Sequence, residues 1–174
     1  MTRDPLIATA RIAILVVRGL LWFAAAMMIG LVAVTTFASD AQLAEWGREA
    51  ATLGAAAESR TTLAILFTFT LGIVVLAERF FQQLGAIVAT VPAGEPFAPM
   101  NADRLQRMGW LAVGFQTISL GANLFSDQAR ELSDKIDLTL ELSLEGIFLA
   151  LLLFILARVF RIGAAMRDDL EGTV

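Results

Sequence analysis

The stretch GLLWFAAAMMIGLVAVTTF, from Gly19 to Phe37, contains no charged side chain over 19 residues. Because an α-helix rises 1.5 Å per residue, about 20 apolar residues are enough to cross the hydrocarbon core of a bilayer. A secretory signal peptide is the competing interpretation, since Arg3 and Arg11 precede the stretch and its last residues are similar to a cleavage site. The run is longer than the apolar region of a typical signal peptide, so we expect a retained transmembrane anchor.

The composition of the 174-residue chain is that of a membrane protein. Hydrophobic residues make up 57% and charged residues 17%, respectively above and below the averages of soluble domains. The length fits a single domain that covers residues 1–174. Cysteine, histidine and tyrosine are all absent, which removes disulfides, thiolate chemistry and the usual zinc and haem ligands. We therefore expect no catalytic residue, no cofactor and no metal site.

The charge of the chain argues against direct binding to nucleic acid. The formal net charge is -4, and no dense basic run is present that would follow a phosphate backbone. The lipid bilayer is the partner that the composition favours.

Four apolar runs predict an all-α membrane protein that folds as a bundle of four transmembrane helices. The second run ends before Glu78 and Arg79, but apolar residues continue at three- and four-residue spacing toward Pro92. This spacing predicts that the second helix extends beyond its span. The predicted spans cover about residues 12–37, 61–79, 107–125 and 143–162, and they leave a central loop at about 80–106 and a tail at 163–174.

The third run, MGWLAVGFQTISLGANLF, is the most polar of the four. Gln116, Ser119 and Asn123 recur at helical spacing, which places them on one face of the helix. We expect them to form polar contacts between helices instead of facing lipid. A solute pathway would require ionisable partners at the same depth, and this segment supplies none.

The residues before the fourth span alternate between apolar and polar side chains from Ile136 to Glu145. This two-residue period is typical of a half-buried strand, so we expect a short external strand before the fourth helix. Ser143 is placed to cap that helix, and Glu145 falls in its first turn, where a negative charge is favourable. The fourth helix is therefore expected to begin near Leu144.

The distribution of basic residues predicts how the chain is oriented. Nine arginines lie in the N-terminal segment, the central loop and the tail, whereas the other two loops hold four basic residues. Lysine and arginine are enriched on the cytoplasmic side of membrane proteins. We therefore expect both termini and the central loop to lie in the cytoplasm.

The central loop carries the most specific local pattern, VPAGEPFAPMNADRLQRMGW, from Val91 to Trp110. Its prolines and glycine predict that the second helix ends here and that the chain turns. Asn101 is placed to cap the third helix, with Asp103 in its first turn. We therefore expect a structured turn at this position.

Two short motifs lie beside the third and fourth spans. The first is a Gly-x-Pro-Phe sequence followed by an Asn and an Arg-Leu pair, formed by Gly94, Pro96, Phe97, Asn101, Arg104 and Leu105. The second is a Phe-Arg-x-Gly sequence with a basic and acidic tail, formed by Phe160, Arg161, Gly163, Arg167, Asp168, Asp169 and Glu171. Together with the spacing of the four apolar runs, these motifs resemble the bacterial domain-of-unknown-function family 2975 over nearly the whole chain.

The resemblance implies a protein of the bacterial cytoplasmic (inner) membrane without an established activity. Members of that family are often encoded beside a small helix-turn-helix regulator, which implies a cytosolic transcriptional regulator as a partner. The chain departs from the family at Gln106, where a basic residue is more usual. That departure puts a charge-based contact at this position in doubt.

Our leading hypothesis is a non-enzymatic membrane protein that sequesters or signals to this regulator. The proposed docking residues are Phe97, Asn101, Arg104, Phe160, Arg161 and Arg167. The alternative is a small transporter or channel subunit, which would have to act as a homo-oligomer because four short spans enclose no pore. An enzyme is the third candidate, and its only support is the carboxylate pair Glu141 and Glu145.

Overall fold

A computed structural model describes residues 5–52, 60–124 and 143–171. Within these residues the chain forms five α-helices and one 3-10 turn. The helices are α1 (Pro5–Phe37), α2 (Asp40–Thr52), α3 (Arg60–Thr90), α4 (Pro99–Leu124) and α5 (Leu144–Glu171), and the 3-10 turn is Val91–Ala93. The strand expected before the fourth helix falls on residues 136–142, which lie outside the described residues.

Three of the described helices are long and apolar enough to cross a membrane. They correspond to Pro5–Phe37, Ala64–Ala93 and Leu144–Asp169. Each exceeds the roughly 20 residues that a hydrocarbon core requires. By length and composition, these helices indicate a membrane protein.

The long helices pack in a row in which α1 contacts α3, α3 contacts α4, and α4 contacts α5. Neighbours in this row are antiparallel, so α1 begins, α3 ends, α4 begins and α5 ends at the same end of the bundle. We call this end, with residues 91–98 that join α3 to α4, the turn end. The core lies between α4 and α5 and consists of Leu105, Met108, Ala112, Ala150, Leu153 and Ala157.

α3 contributes to this core through the extension that its apolar spacing predicted. The helix continues to Thr90, and Phe80, Leu84 and Ile87 pack against the residues of α4 and α5. The 3-10 turn follows, and Gly94 ends it with a φ of 78° and an N–H that donates to the carbonyl of Val91 at 3.1 Å. Glycine suits this position because a side chain disfavours left-handed backbone.

Local side-chain signals explain where two further helices begin. α5 begins at Leu144, as expected, and the hydroxyl of Ser143 accepts a hydrogen bond from the N–H of Gly146 at 3.1 Å. Glu145 lies in the first turn of α5. α2 was not predicted from the sequence, yet Ser39 and Gln42 form a reciprocal capping box at its start.

Candidate functional site at the turn end

The turn end brings together five of the six residues that the sequence proposed for docking. Phe97 lies in the turn, two further residues lie in the first turns of α4, and two lie near the end of α5. Arg167 is exposed and lies nearly two helical turns beyond Arg161 along α5. Contacts of Asn101, Phe160 and Gly163 join the turn to the end of α3, the start of α4 and the end of α5.

Asn101 lies at the centre of the turn end and is completely buried. Its side-chain amide donates to the hydroxyl of Thr90 at 2.7 Å and to the carbonyl of Pro96 at 3.0 Å. Its side-chain oxygen accepts a hydrogen bond from Arg104 at 2.8 Å. One side chain therefore ties the end of α3 to the turn and to the first turns of α4.

The expectation that Asn101 caps the third helix was wrong. α4 begins at Pro99, and no acidic residue lies in its first turn, which also corrects the placement of Asp103. Proline is favoured at the first position of a helix because its missing N–H would have no partner there. Asn101 is thus an interior residue of α4 whose side chain bonds across the turn.

Arg104 is half-buried and joins α4 to α3 by a hydrogen bond. Its Nη1 donates to the carbonyl of Ala86 at 3.2 Å and to Asn101, while its Nη2 lies 3.2 Å from the sulfur of Met100. The carbonyl contact crosses between two helices, so the guanidinium has a defined orientation. This arrangement assigns Arg104 a supporting position at the turn end.

Phe97 joins the turn to α5. Its ring centroid lies 5.2 Å from that of Phe160 with an interplanar angle of 47°. A Cβ built on Gly163 would lie 3.0 Å from the Phe97 ring, so the glycine provides the space that the ring occupies. Phe97 nevertheless remains 44% exposed, so part of its ring is accessible at the surface of the turn end.

Arg161 connects α5 to the outer surface of α4. Its Nη2 donates to Gln106 at 2.8 Å and to the carboxylate of Asp103 at 3.3 Å. Both charged side chains are at least half exposed, so this ion pair contributes at most about 1 kcal/mol. Gln106 thus takes part in a contact as a neutral acceptor, and a basic residue in its place would repel Arg161.

The polar face of α4 makes one interhelical contact within the described side chains. Nε2 of Gln116 donates to the carbonyl of Ser143 at 2.7 Å and lies 3.3 Å from its hydroxyl. Ser119 is buried, and the side chain of Asn123 lies outside the described residues. Gly146 makes the contact possible, because a Cβ there would clash with the amide of Gln116.

Sequence reasoning missed an ion pair between α1 and α3. Nε and Nη2 of Arg18 donate to Oε1 of Glu78 at 2.9 and 2.7 Å. Oε2 of Glu78 is buried, and no hydrogen-bond partner for it lies in the part of the chain that the structure describes. A cavity of about 270 Å³ adjoins the pair. The signal was present in the sequence, since each charge borders an apolar run.

The side chains of the turn end are held in place by hydrogen bonds and an aromatic contact. No group of three or more carboxylate, histidine or cysteine side chains gathers among residues 5–52, 60–124 and 143–171. The turn end instead exposes part of the Phe97 ring and the guanidinium group of Arg161, next to the hydrogen bonds that Asn101 forms. Such an arrangement is suited to recognition of another molecule.

Comparison with known proteins identifies the family. The model of the family described as Protein of unknown function (DUF2975) matches residues 9–174, nearly the whole chain. The chain therefore belongs to this family. Neither a curated protein nor a solved structure matches the chain at a significant level.

Proposed function

We propose that this member of the family is a non-enzymatic protein of the bacterial inner membrane whose turn end faces the cytoplasm and docks a small soluble regulator. The observation that carries the proposal is the position of Phe97, which is held by Phe160 and Gly163 but remains 44% exposed. An aromatic side chain fixed in this way loses little conformational entropy when a partner covers it. Partly exposed aromatic residues beside arginines are typical anchors of protein interfaces.

Four spans, with both termini in the cytoplasm, are part of the proposal. α4 lies beside α3 along its length, from the bond between Asn101 and Thr90 to the neighbourhood of Gly121 and Phe69. A helix in contact with two apolar helices over this distance occupies the same depth in the bilayer. Its lower hydropathy is compatible with a span because polar residues such as Gln116 turn toward neighbouring helices.

The topology is tested by fusing reporters to the full chain. We expect reporters after Val174 and within Pro92–Pro99 to behave as cytoplasmic, and reporters near Glu49 or Asp134 to behave as external. The basis is the excess of arginine in the segments at the turn end. An external reporter at Val174 would contradict the four-span topology.

The charged groups of the docking surface lie on α5, the helix whose Phe160 and Gly163 contact Phe97. Arg161 is half exposed, and Arg167 is exposed nearly two turns further along the helix. Guanidinium groups form planar, charge-assisted hydrogen bonds to carboxylates, which suits an acidic patch on a partner. Asn101 and Arg104 support this surface from below, since Asn101 is buried and Arg104 is bonded to the backbone of α3.

Docking is tested by crosslinking in native membranes, followed by purification and identification of the captured proteins. We expect the wild type to capture a DNA-binding regulator that is lost from Phe97→Ser with Arg161→Ala, and from a chain that lacks residues 167–174. Arg11→Ala is the matched control, because Arg11 is an exposed arginine at the same end but on α1. Capture of no such regulator, or equal capture by the variants at equal membrane levels, would refute docking.

A second candidate, a small transporter or channel subunit that acts as a homo-oligomer, is favoured by one observation. Oε2 of Glu78 is buried and has no hydrogen-bond partner among the described residues. Glu78 and Arg18 both line a cavity. Ionisable groups within membrane-spanning helices often mark ion or proton pathways. In liposomes, a transporter requires proton or cation flux by the wild type that Glu78→Gln abolishes while the protein stays folded.

A further inference from the structure

A polar groove runs between α3 and α4 near the turn end, on a surface that the docking proposal does not use as its anchor. It encloses about 550 Å³ and is lined mainly by Arg79, Gln82 and Gln83 from α3 and by Asp103, Arg104 and Arg107 from α4. The residues on each helix recur at three- and four-residue spacing. Two polar helix faces therefore oppose each other across the groove.

The charge in the groove is strongly unbalanced. Three guanidinium groups line it against one carboxylate, and Asp103 already accepts a hydrogen bond from Arg161 at 3.3 Å. Within the part of the chain that the structure describes, no ion pair or side-chain hydrogen bond engages Arg79 or Arg107. Two arginines are therefore available to an anion that enters the groove.

Arg104 gives the groove a fixed element. Two of its N–H groups are directed at the carbonyl of Ala86 and at Asn101, which holds the guanidinium between α3 and α4. A guanidinium has five N–H donors, so further donors remain for a ligand. Gln82 and Gln83 add amide groups that suit hydroxyl or ester oxygens.

The groove lies where the apolar part of the bundle ends. On α3 the uncharged run stops at Ala77, two residues before Arg79, and on α4 the apolar run starts at Met108, directly after Arg107. Val75 lies one helical turn before Arg79, on the same side of α3 and within its apolar run, and is 47% exposed. A ligand in the groove would thus have its charge among arginines and its hydrocarbon beside α3.

We propose that this groove binds the phosphate of one anionic phospholipid. The guanidinium groups of Arg79 and Arg107 bind the phosphate oxygens, the glutamines contact the polar headgroup, and the acyl chains enter the bilayer along α3. Basic pockets between membrane helices at the cytoplasmic boundary are suited to such headgroups. The inference depends on the membrane character of the chain but not on the docking of a regulator.

Native mass spectrometry of the purified full chain in a neutral detergent tests the proposal. Phosphatidylglycerol and phosphatidylcholine are titrated separately, because they share a phosphodiester but only the first carries a net charge. We expect one phosphatidylglycerol to bind in preference to phosphatidylcholine. The variant Arg79→Gln with Arg107→Gln should weaken phosphatidylglycerol binding by roughly tenfold or more.

Two further variants separate the groove from general effects. Arg158→Gln removes an exposed arginine near the same boundary on α5, outside the groove, and should leave binding unchanged. Asp103→Asn removes the one carboxylate of the groove and should strengthen binding, which loss of folding would not produce.

Three results would overturn the assignment. The first is the absence of a preference for phosphatidylglycerol, and the second is an unchanged preference in the double arginine variant. The third is displacement of the lipid by millimolar glycerol phosphate or inorganic phosphate, which would assign the groove to a soluble phosphate compound. If the double variant does not fold, the wild-type lipid preference and the gain from Asp103→Asn still decide the question.

Discussion

α1 and α5 are both long apolar helices, yet their neighbours bury them to very different extents. α1 has two buried residues among those that the structure describes, Ile14 and Thr35, and its most apolar window contains no buried residue. α5 buries four residues of its inner face against α4, which are Ala150, Leu153, Ala157 and Ala164. Apolar composition alone therefore does not determine which helix is buried.

Small residues account for this difference. Ala102 and Ala112 on α4 are buried together with the alanines of α5, and Gly109 admits the ring of Phe154 so closely that a Cβ would lie 2.9 Å from it. Between membrane helices, lipid provides no hydrophobic driving force, so close backbone approach and van der Waals packing hold helices together. On α1, burial of Ile14 likewise occurs where it faces a glycine, Gly85.

Truncation of a methionine in the core between α4 and α5, compared with truncation of one on α1, should give the largest difference in the free energy of unfolding. Met108 on α4 is 2% exposed and belongs to the core, whereas Met27 on α1 is 51% exposed. We expect Met108→Ala to lower the free energy of unfolding by about 2–3 kcal/mol, because it leaves a cavity among packed side chains. Met27→Ala should change it by less than about 0.5 kcal/mol. Reversible unfolding by SDS in mixed micelles measures both, and equal losses would contradict the contrast.

The ion pair between Arg18 and Glu78 should matter next, since it is the main polar link between α1 and α3. Arg18→Leu leaves Glu78 partly buried with both carboxylate oxygens unpartnered, so we expect a loss of about 1–2 kcal/mol. Replacing both residues by leucine should recover most of this loss, because no unpaired charge remains. The same unfolding measurement applies to Arg18→Leu, Glu78→Leu and the double variant. A double variant whose loss of unfolding free energy equals the sum of the two single losses would contradict this explanation.

A pair of glycine substitutions tests the close approach directly. Gly109→Ala and Gly30→Ala bring the same gain in helix propensity, but a Cβ on Gly30 meets nothing within 4 Å. We expect Gly109→Ala to be about 1 kcal/mol less stable than Gly30→Ala, owing to its contact with Phe154. Adding Phe154→Leu should reduce the loss of stability that Gly109→Ala causes. An unchanged loss would show that a contact other than that with Phe154 is responsible.

The smallest effect is expected at the polar contact between α4 and α5. Gln116→Leu removes the bond to the carbonyl of Ser143 and should cost about 0.6 kcal/mol, the average for such bonds between membrane helices. Thr117→Val is the matched control, because the hydroxyl of Thr117 is exposed and bonds within its own helix to Val113. A larger loss for Thr117→Val than for Gln116→Leu would rule out the interhelical bond as the cause.

Features that depend on neighbouring residues were predictable from the sequence. Apolar spacing carried α3 beyond Glu78 to Thr90, and a serine before an acidic first turn located the start of α5 at Leu144. The capping box of Ser39 and Gln42 is an equally local signal, and it marks the start of α2, a helix that the four apolar runs do not predict.

Contacts between distant residues were not predictable from one sequence. Asn101 was interpreted as a cap because its partner Thr90 becomes adjacent only after the turn has formed. Likewise, Arg18 and Glu78 meet across 60 positions, and their pairing requires the register of α1 against α3. Five of the six proposed docking residues lie together at the turn end, but their division into buried supports such as Asn101 and exposed groups such as Phe97 depends on the packing of the helices.

The polar face of α4 has a consequence for the order of synthesis. Gln116 bonds to Ser143, at the start of α5, which leaves the ribosome after α4. While the nascent chain ends before residue 143, the amide of Gln116 lacks this acceptor, and the small residues that receive α5 are uncovered. Until α5 has been synthesised, α3 is therefore the one long helix available for α4 to pack against, among the helix contacts that the structure describes.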